Sequence, residues 1–173
     1  ETESAYSSFL SSASSQAREL GASISDVIDS TAEWSRLGYT LDESQELAKW
    51  STVLSNIGDG IDSASDAASY LVSILKGFRM EANEVEHVVN VLNSVGNNEP
   101  ISESGIAEAL VRSASALSAA GNTFEESVAL ITSANSVLQD PDTVGTTLKT
   151  ISMYLRASKT DAQAFGVSVD DMA

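Results

Sequence analysis

Five times in 173 residues the chain repeats one short pattern: glycine, any residue, Ser or Thr, an apolar residue, then two polar and mostly acidic ones. The copies are Gly21-Ala22-Ser23-Ile24-Ser25-Asp26, Gly38-Tyr39-Thr40-Leu41-Asp42-Glu43, Gly77-Phe78-Arg79-Met80-Glu81-Ala82, Gly121-Asn122-Thr123-Phe124-Glu125-Glu126 and Gly166-Val167-Ser168-Val169-Asp170-Asp171. Glycine can take the left-handed conformation that ends a helix, and a hydroxyl two residues on can cap the next one. An acid three residues after the cap completes a capping box at the positive end of the new helix. The pattern therefore predicts tight helix-to-helix corners. In the third copy Arg79 replaces the cap hydroxyl and Ala82 the second acid, so that corner is expected to be the least well defined.

Between the corners the apolar residues recur at helical spacing. Phe9, Ala13 and Ala17 predict an N-terminal, serine-rich helix within residues 1–20, with a frayed start. Ile24 to Leu37, Leu41 to Ile57, Ala64 to Gly77, Met80 to Val95, Ile106 to Leu117 and Phe124 to Leu138 each place apolar residues on one face. Gly96-Asn97-Asn98-Glu99-Pro100 reads as the strongest break and the best candidate for a longer loop. After Asp140-Pro141-Asp142, with Asp142 or Thr143 as cap, Val144, Leu148, Ile151 and Leu155 fall four, three and four apart. A short segment from Ala162 to Phe165 leads to the last corner.

The expected fold is all-α: antiparallel helical hairpins joined by glycine and capping-box corners. Gly38, Gly77 and Gly121 stand 39 and 44 residues apart, the length of a helix pair. Stacked hairpin repeats and a compact bundle both satisfy that spacing. At this length a single domain can bury roughly 70% of the surface its unfolded chain exposes. Apolar residues make up 42% but aromatics only 6%, so close packing through small side chains is expected.

Composition narrows the chemistry. With no cysteine, disulfides, thiolate nucleophiles and cysteine-bound metals are excluded together. No apolar run approaches the ~20 residues that span a bilayer. The start, Glu1-Thr2-Glu3-Ser4, has neither an initiator Met nor signal-peptide features, which suggests a piece of a longer protein. The net charge of -16 repels phosphate backbones and anionic lipid, so nucleic-acid binding is not expected. Lys149, Arg156 and Lys159 form the nearest approach to a basic patch, and bases on a solvated helix face explain them.

No motif carries catalysis. His87 is the lone histidine, and Glu84 with it makes half of a di-iron Glu-x-x-His site that needs a second copy. Asp59, Asp62 and Asp66 resemble a calcium loop, but counting from Asp59 puts Ile61 and Ala64 where a ligand and a glycine belong. There is no Gly-x-Ser-x-Gly elbow, and Ser63 stands where a dinucleotide fingerprint needs its third glycine. Trp34, Trp50 and Phe124 occupy core positions of helices, which argues against a stacking platform. No catalytic, cofactor-binding or metal-binding residue is assigned, and no enzymatic activity is expected.

One stretch goes beyond helix grammar. Asp140 to Thr160 contains Val144-Gly145-Thr146-Thr147-Leu148-Lys149-Thr150-Ile151, then Leu155-Arg156 and Lys159-Thr160, and is followed by Gly166 and Asp170-Asp171-Met172-Ala173. It resembles the end of the core region of phage tail tape measure proteins, particularly those of phages and prophages of Gram-positive bacteria. The likeness extends back to about Gly21, making residues 21–173 the expected core. The resemblance implies a structural segment that occupies the tail-tube lumen, sets tail length and leaves ahead of the DNA. It also implies partners among the tail proteins (tube, assembly chaperone, tip), self-association, and a place in the virion tail after assembly in the bacterial cytoplasm. The alternative from another class is a cellular helical-repeat adaptor that binds a protein partner.

Overall fold

Three of the five corners are built as the pattern predicts. Gly21, Gly38 and Gly121 take φ of +69°, +94° and +102°, a region costly for any residue with a Cβ. Two residues on, the hydroxyls of Ser23, Thr40 and Thr123 accept the backbone N–H of Asp26, Glu43 and Glu126 at 3.1, 3.3 and 3.2 Å. Glu43 and Glu126 return the bond, each accepting the cap residue's own N–H at 2.8 Å. Both capping boxes are therefore closed.

The computed structural model describes residues 2–164, and the side chains of 6–158. Helix α1 spans Thr2–Leu20, α2 Ile24–Arg36, α3 Leu41–Ile57, α4 Ala64–Phe78, α5 Val85–Asn98, α6 Glu103–Ala120, α7 Phe124–Leu138 and α8 Pro141–Ala164. A single 3-10 turn, Ala82–Glu84, precedes α5, and no strand occurs among the described residues. The corner at Gly166 lies outside them.

The third corner departs from the expected form. Gly77 does not end α4; the helix runs to Phe78 and the left-handed residue is Arg79, at φ +59°. A Cβ on Gly77 would stand 2.6 Å from Ala114 Cβ, so this glycine admits a neighbouring helix rather than turning the chain. The next segment restarts through the 3-10 turn, where Glu84 accepts the Glu81 N–H at 2.7 Å. The helix expected from Met80 therefore begins only at Val85.

Two other boundaries also differ. The long loop expected at Gly96 is absent: α5 continues to Asn98, and four residues, 99–102, link it to α6. Asn97 and Asn98 turn their amides back onto the carbonyls of Asn93 and Ser94 at 2.8 and 2.6 Å, local bonds that sustain a last turn of weak helix formers. At α8 the cap is Asp140, not Asp142 or Thr143, with its carboxylate accepting the Thr143 N–H at 3.3 Å and the hydroxyl at 2.6 Å. Pro141 then occupies the first helical position, where a missing N–H costs nothing. The segment at Ala162 joins this same helix.

Helix contacts arrange the hairpins in two layers. Helices α2, α4, α6 and α8 pack side by side in chain order. Glu33 meets Ser65, Tyr70 lies near Glu108, Gly77 abuts Ala114, and Pro141 and Gly145 lie on Gly105 and Ala109. Paired numbers rise together, so these helices run parallel. Helices α1, α3 and α5 form a second layer running the other way, extended by α7, which meets α5 through His87 and Phe124. Between the layers lies one apolar core that includes Trp34, Leu47, Leu54, Leu71, Leu92 and Ile131. Ala13 and Ala17 of α1 cover Val27 in a smaller cluster.

Candidate functional site

His87 illustrates how the array disposes of the chain's candidate chemistry. It stands on α5 with its side chain 53% exposed, and its Nε2 is 2.6 Å from Glu125 Oε1 on α7. Glu84, its expected motif partner, sits in the preceding 3-10 turn. The hydrogen bond to His87 holds the Glu125 carboxyl below the usual carboxylate range. The pair is an inter-helix tie, and no group of three or more metal-capable side chains occurs among the described residues.

The three aspartates have separate local duties. Asp59 donates its N–H to the Glu103 carboxylate at 3.0 Å and accepts the Ser104 N–H at 3.2 Å. Asp66 takes the hydroxyl of its own cap residue, Ser63, at 2.6 Å. Asp62 borders a surface cleft. The aromatics are likewise structural: Trp34 is fully buried and donates to Ser51 Oγ at 3.1 Å, and Phe124 meets Phe78 edge-on at 5.7 Å. Trp50 is half-buried and donates to Glu46 at 2.8 Å. Lys149 and Arg156 are exposed on α8, while the Lys159 side chain lies outside the described ones.

Glu103 escaped sequence reasoning. It is 2% exposed at the first residue of α6, against Gly96 of α5, and it holds the backbone of the α3–α4 connection. An acid in a first helical turn is ordinary for the dipole alone, so only the glycine opposite could have hinted at its burial.

What the surface does offer is contact area. An open groove of about 610 Å³ lies where the α6–α7 corner meets α8, lined by Leu117, Gly121, Leu130, Leu148, Ile151 and Leu155. Leu155 is itself 63% exposed, and beside the groove Met153 and Tyr154 of α8 are 53% and 72% exposed. A second cleft, of about 420 Å³, is polar and acidic; it lies among α2, the end of α3 and the start of α4. The first is suited to protein contact by apolar burial, the second by charge.

A family model described as phage-related minor tail protein matches residues 14–173. The chain belongs to that family. It is thus a structural component of a phage tail, and the match reaches back into α1, beyond the start at Gly21 expected from the sequence. No solved structure gives a significant match to this tail protein. Among the described residues no helix is long and apolar enough to cross a membrane.

Proposed function

We propose that this tail protein is a tape measure core segment, residues 21–173, preceded by the N-terminal helix, and that it acts through protein contacts while setting tail length. The observation that carries the reading is the stretch Asp140 to Thr160, whose resemblance is to tape measure proteins specifically within the wider tail family. It lies along one continuous helix, α8, which leaves Ile151, Met153, Tyr154 and Leu155 facing outward. Burying such side chains against another tail protein gains about 25 cal/mol per Å² of apolar surface. The charge of -16 supports passage beside DNA without adhesion.

The partners proposed are the tail tube, the assembly chaperone, the tail tip and further copies of the chain, met in the host cytoplasm during assembly. A photo-cross-linking amino acid at Leu155, incorporated in assembled phage, tests this directly. Cross-links to the tube protein are expected; cross-links confined to capsid or host proteins contradict the reading. The adaptor alternative has no observation of its own in its favour beside the family membership.

A further inference from the structure

The array is open at its ends. Helix α4 lies between α2 and α6 and touches α3 and α5 of the other layer, and α6 lies between α4 and α8 and touches α5 and α7. Helix α8 ends its layer, packing on α6 and α7. The last unit of a stacked helical array ordinarily turns a polar face outward. Here Ile151 and Leu155 of α8 and Leu130 of α7 line an open groove, and Tyr154 stands one turn from Ile151, all of them exposed.

Charge narrows what this face receives. Helix α8 carries Lys149, Arg156 and Lys159 against Asp142 and Asp161, and it is the only helix of net positive charge in an acidic chain. The opposite end has the opposite sign: α1 and α2 carry Glu3, Glu19, Asp26, Asp29 and Glu33 against Arg18 and Arg36. That end also leaves apolar side chains uncovered. Tyr6 of α1 and Ile24 of α2 are exposed, and Ile28 is only partly buried against the Ala13 and Ala17 cluster. Opposed charge of this kind selects and orients a partner, while the apolar side chains supply the burial.

We propose that the α1–α2 end of a second copy docks on the α8 end of the first, its α2 beside α8 and its α1 toward the groove. Helix α2 already runs parallel to α8 within one copy, so both layers continue from copy to copy with helix direction preserved. The 24 residues of α8 give a face about 36 Å long, and two helix layers are about 20 Å deep. An end of about 700 Å² is close to the roughly 800 Å² that each partner buries in a standard interface. The contact is heterologous, using a different surface on each copy. Copies therefore add in a row that leaves one α8 end free for the other tail proteins. The contact assigns surfaces to the self-association proposed above and rests on that part of the reading.

Two variants of the full chain, each blocked at one end, test the contact by sedimentation velocity. Tyr154→Glu charges the α8 face and Ile24→Glu the α2 face. The unaltered chain should gain mass steadily with concentration, and each variant alone should lose that association. An equal mixture of the two retains one good end of each kind, so it should form a dimer and nothing larger. A chain that stays monomeric at every concentration, or a mixture that stays monomeric, overturns the proposal. So does association retained by Ile24→Glu alone, the mark of α8 pairing with α8 across a two-fold axis. A photo-cross-linking amino acid at Tyr154 in the otherwise unaltered chain, with light and heavy copies mixed, reads the partner without relying on either variant's fold. Links to α1 or α2 of the other copy are expected, and links to its α8 or to any other helix contradict the proposal. Failure here leaves the Leu155 cross-links in assembled phage unaffected, so the tail role stands or falls separately.

Discussion

At the scale of single residues, the glycines divide into two kinds that look alike in sequence. Gly121 has open space around its missing Cβ and is held by its φ of +102°, whereas a Cβ on Gly145 would stand 2.6 Å from the Ala109 carbonyl oxygen. Gly145→Ala gains about 1 kcal/mol of helix propensity, yet overpacking against backbone costs about 1–3 kcal/mol, so a net loss in urea unfolding is expected. Thr123→Ala removes a cap and should cost about 1 kcal/mol in the same measurement. Acid acts on the same small devices. The Thr40 hydroxyl holds the Glu43 carboxyl low, and Thr143 does the same for Asp140. With folded values below the unfolded ones, near 4 for carboxyls, their contribution is complete at neutral pH. It is lost as pH falls through the folded values. The unfolding midpoint should therefore hold steady down to about pH 5 and decline below the ordinary carboxylate range, and in Thr40→Val the Glu43 carboxyl should titrate higher by NMR.

At the scale of elements, α3 and α7 were legible to the residue, because their ends are written in local chemistry: a hydroxyl, an acid and a closing residue within one turn of each boundary. Where tertiary contact decides, local grammar misleads. Gly77 reads as a helix stop and is a seat for Ala114, and Gly96 reads as a loop and is a seat for Glu103. No spacing rule distinguishes a glycine needed for φ from one needed for space. The His87–Glu125 tie and the acidic cleft join residues from separate helices and were not legible in the sequence. The α8 start offers a test at this scale. Asp140→Ala removes both bonds to Thr143, and amide hydrogen exchange should quicken in the first turn of α8 while α6 stays protected.

At the scale of the whole molecule, the parallel layer α2, α4, α6 and α8 is drawn together by small residues, as where Gly77 and Gly145 meet α6. The other layer is looser, with a groove of about 520 Å³ between α5 and α7. An array of this kind is built by adding hairpins, and so is a length. That is the property a tape measure needs, and it makes tail length the most direct readout. In a phage carrying an in-frame deletion of residues 21–173, electron microscopy should show intact tails that are shorter, by up to roughly 230 Å if each residue counts one helical rise of about 1.5 Å. Duplicating the segment should lengthen them comparably. Normal tails of unchanged length in both phages would contradict the account.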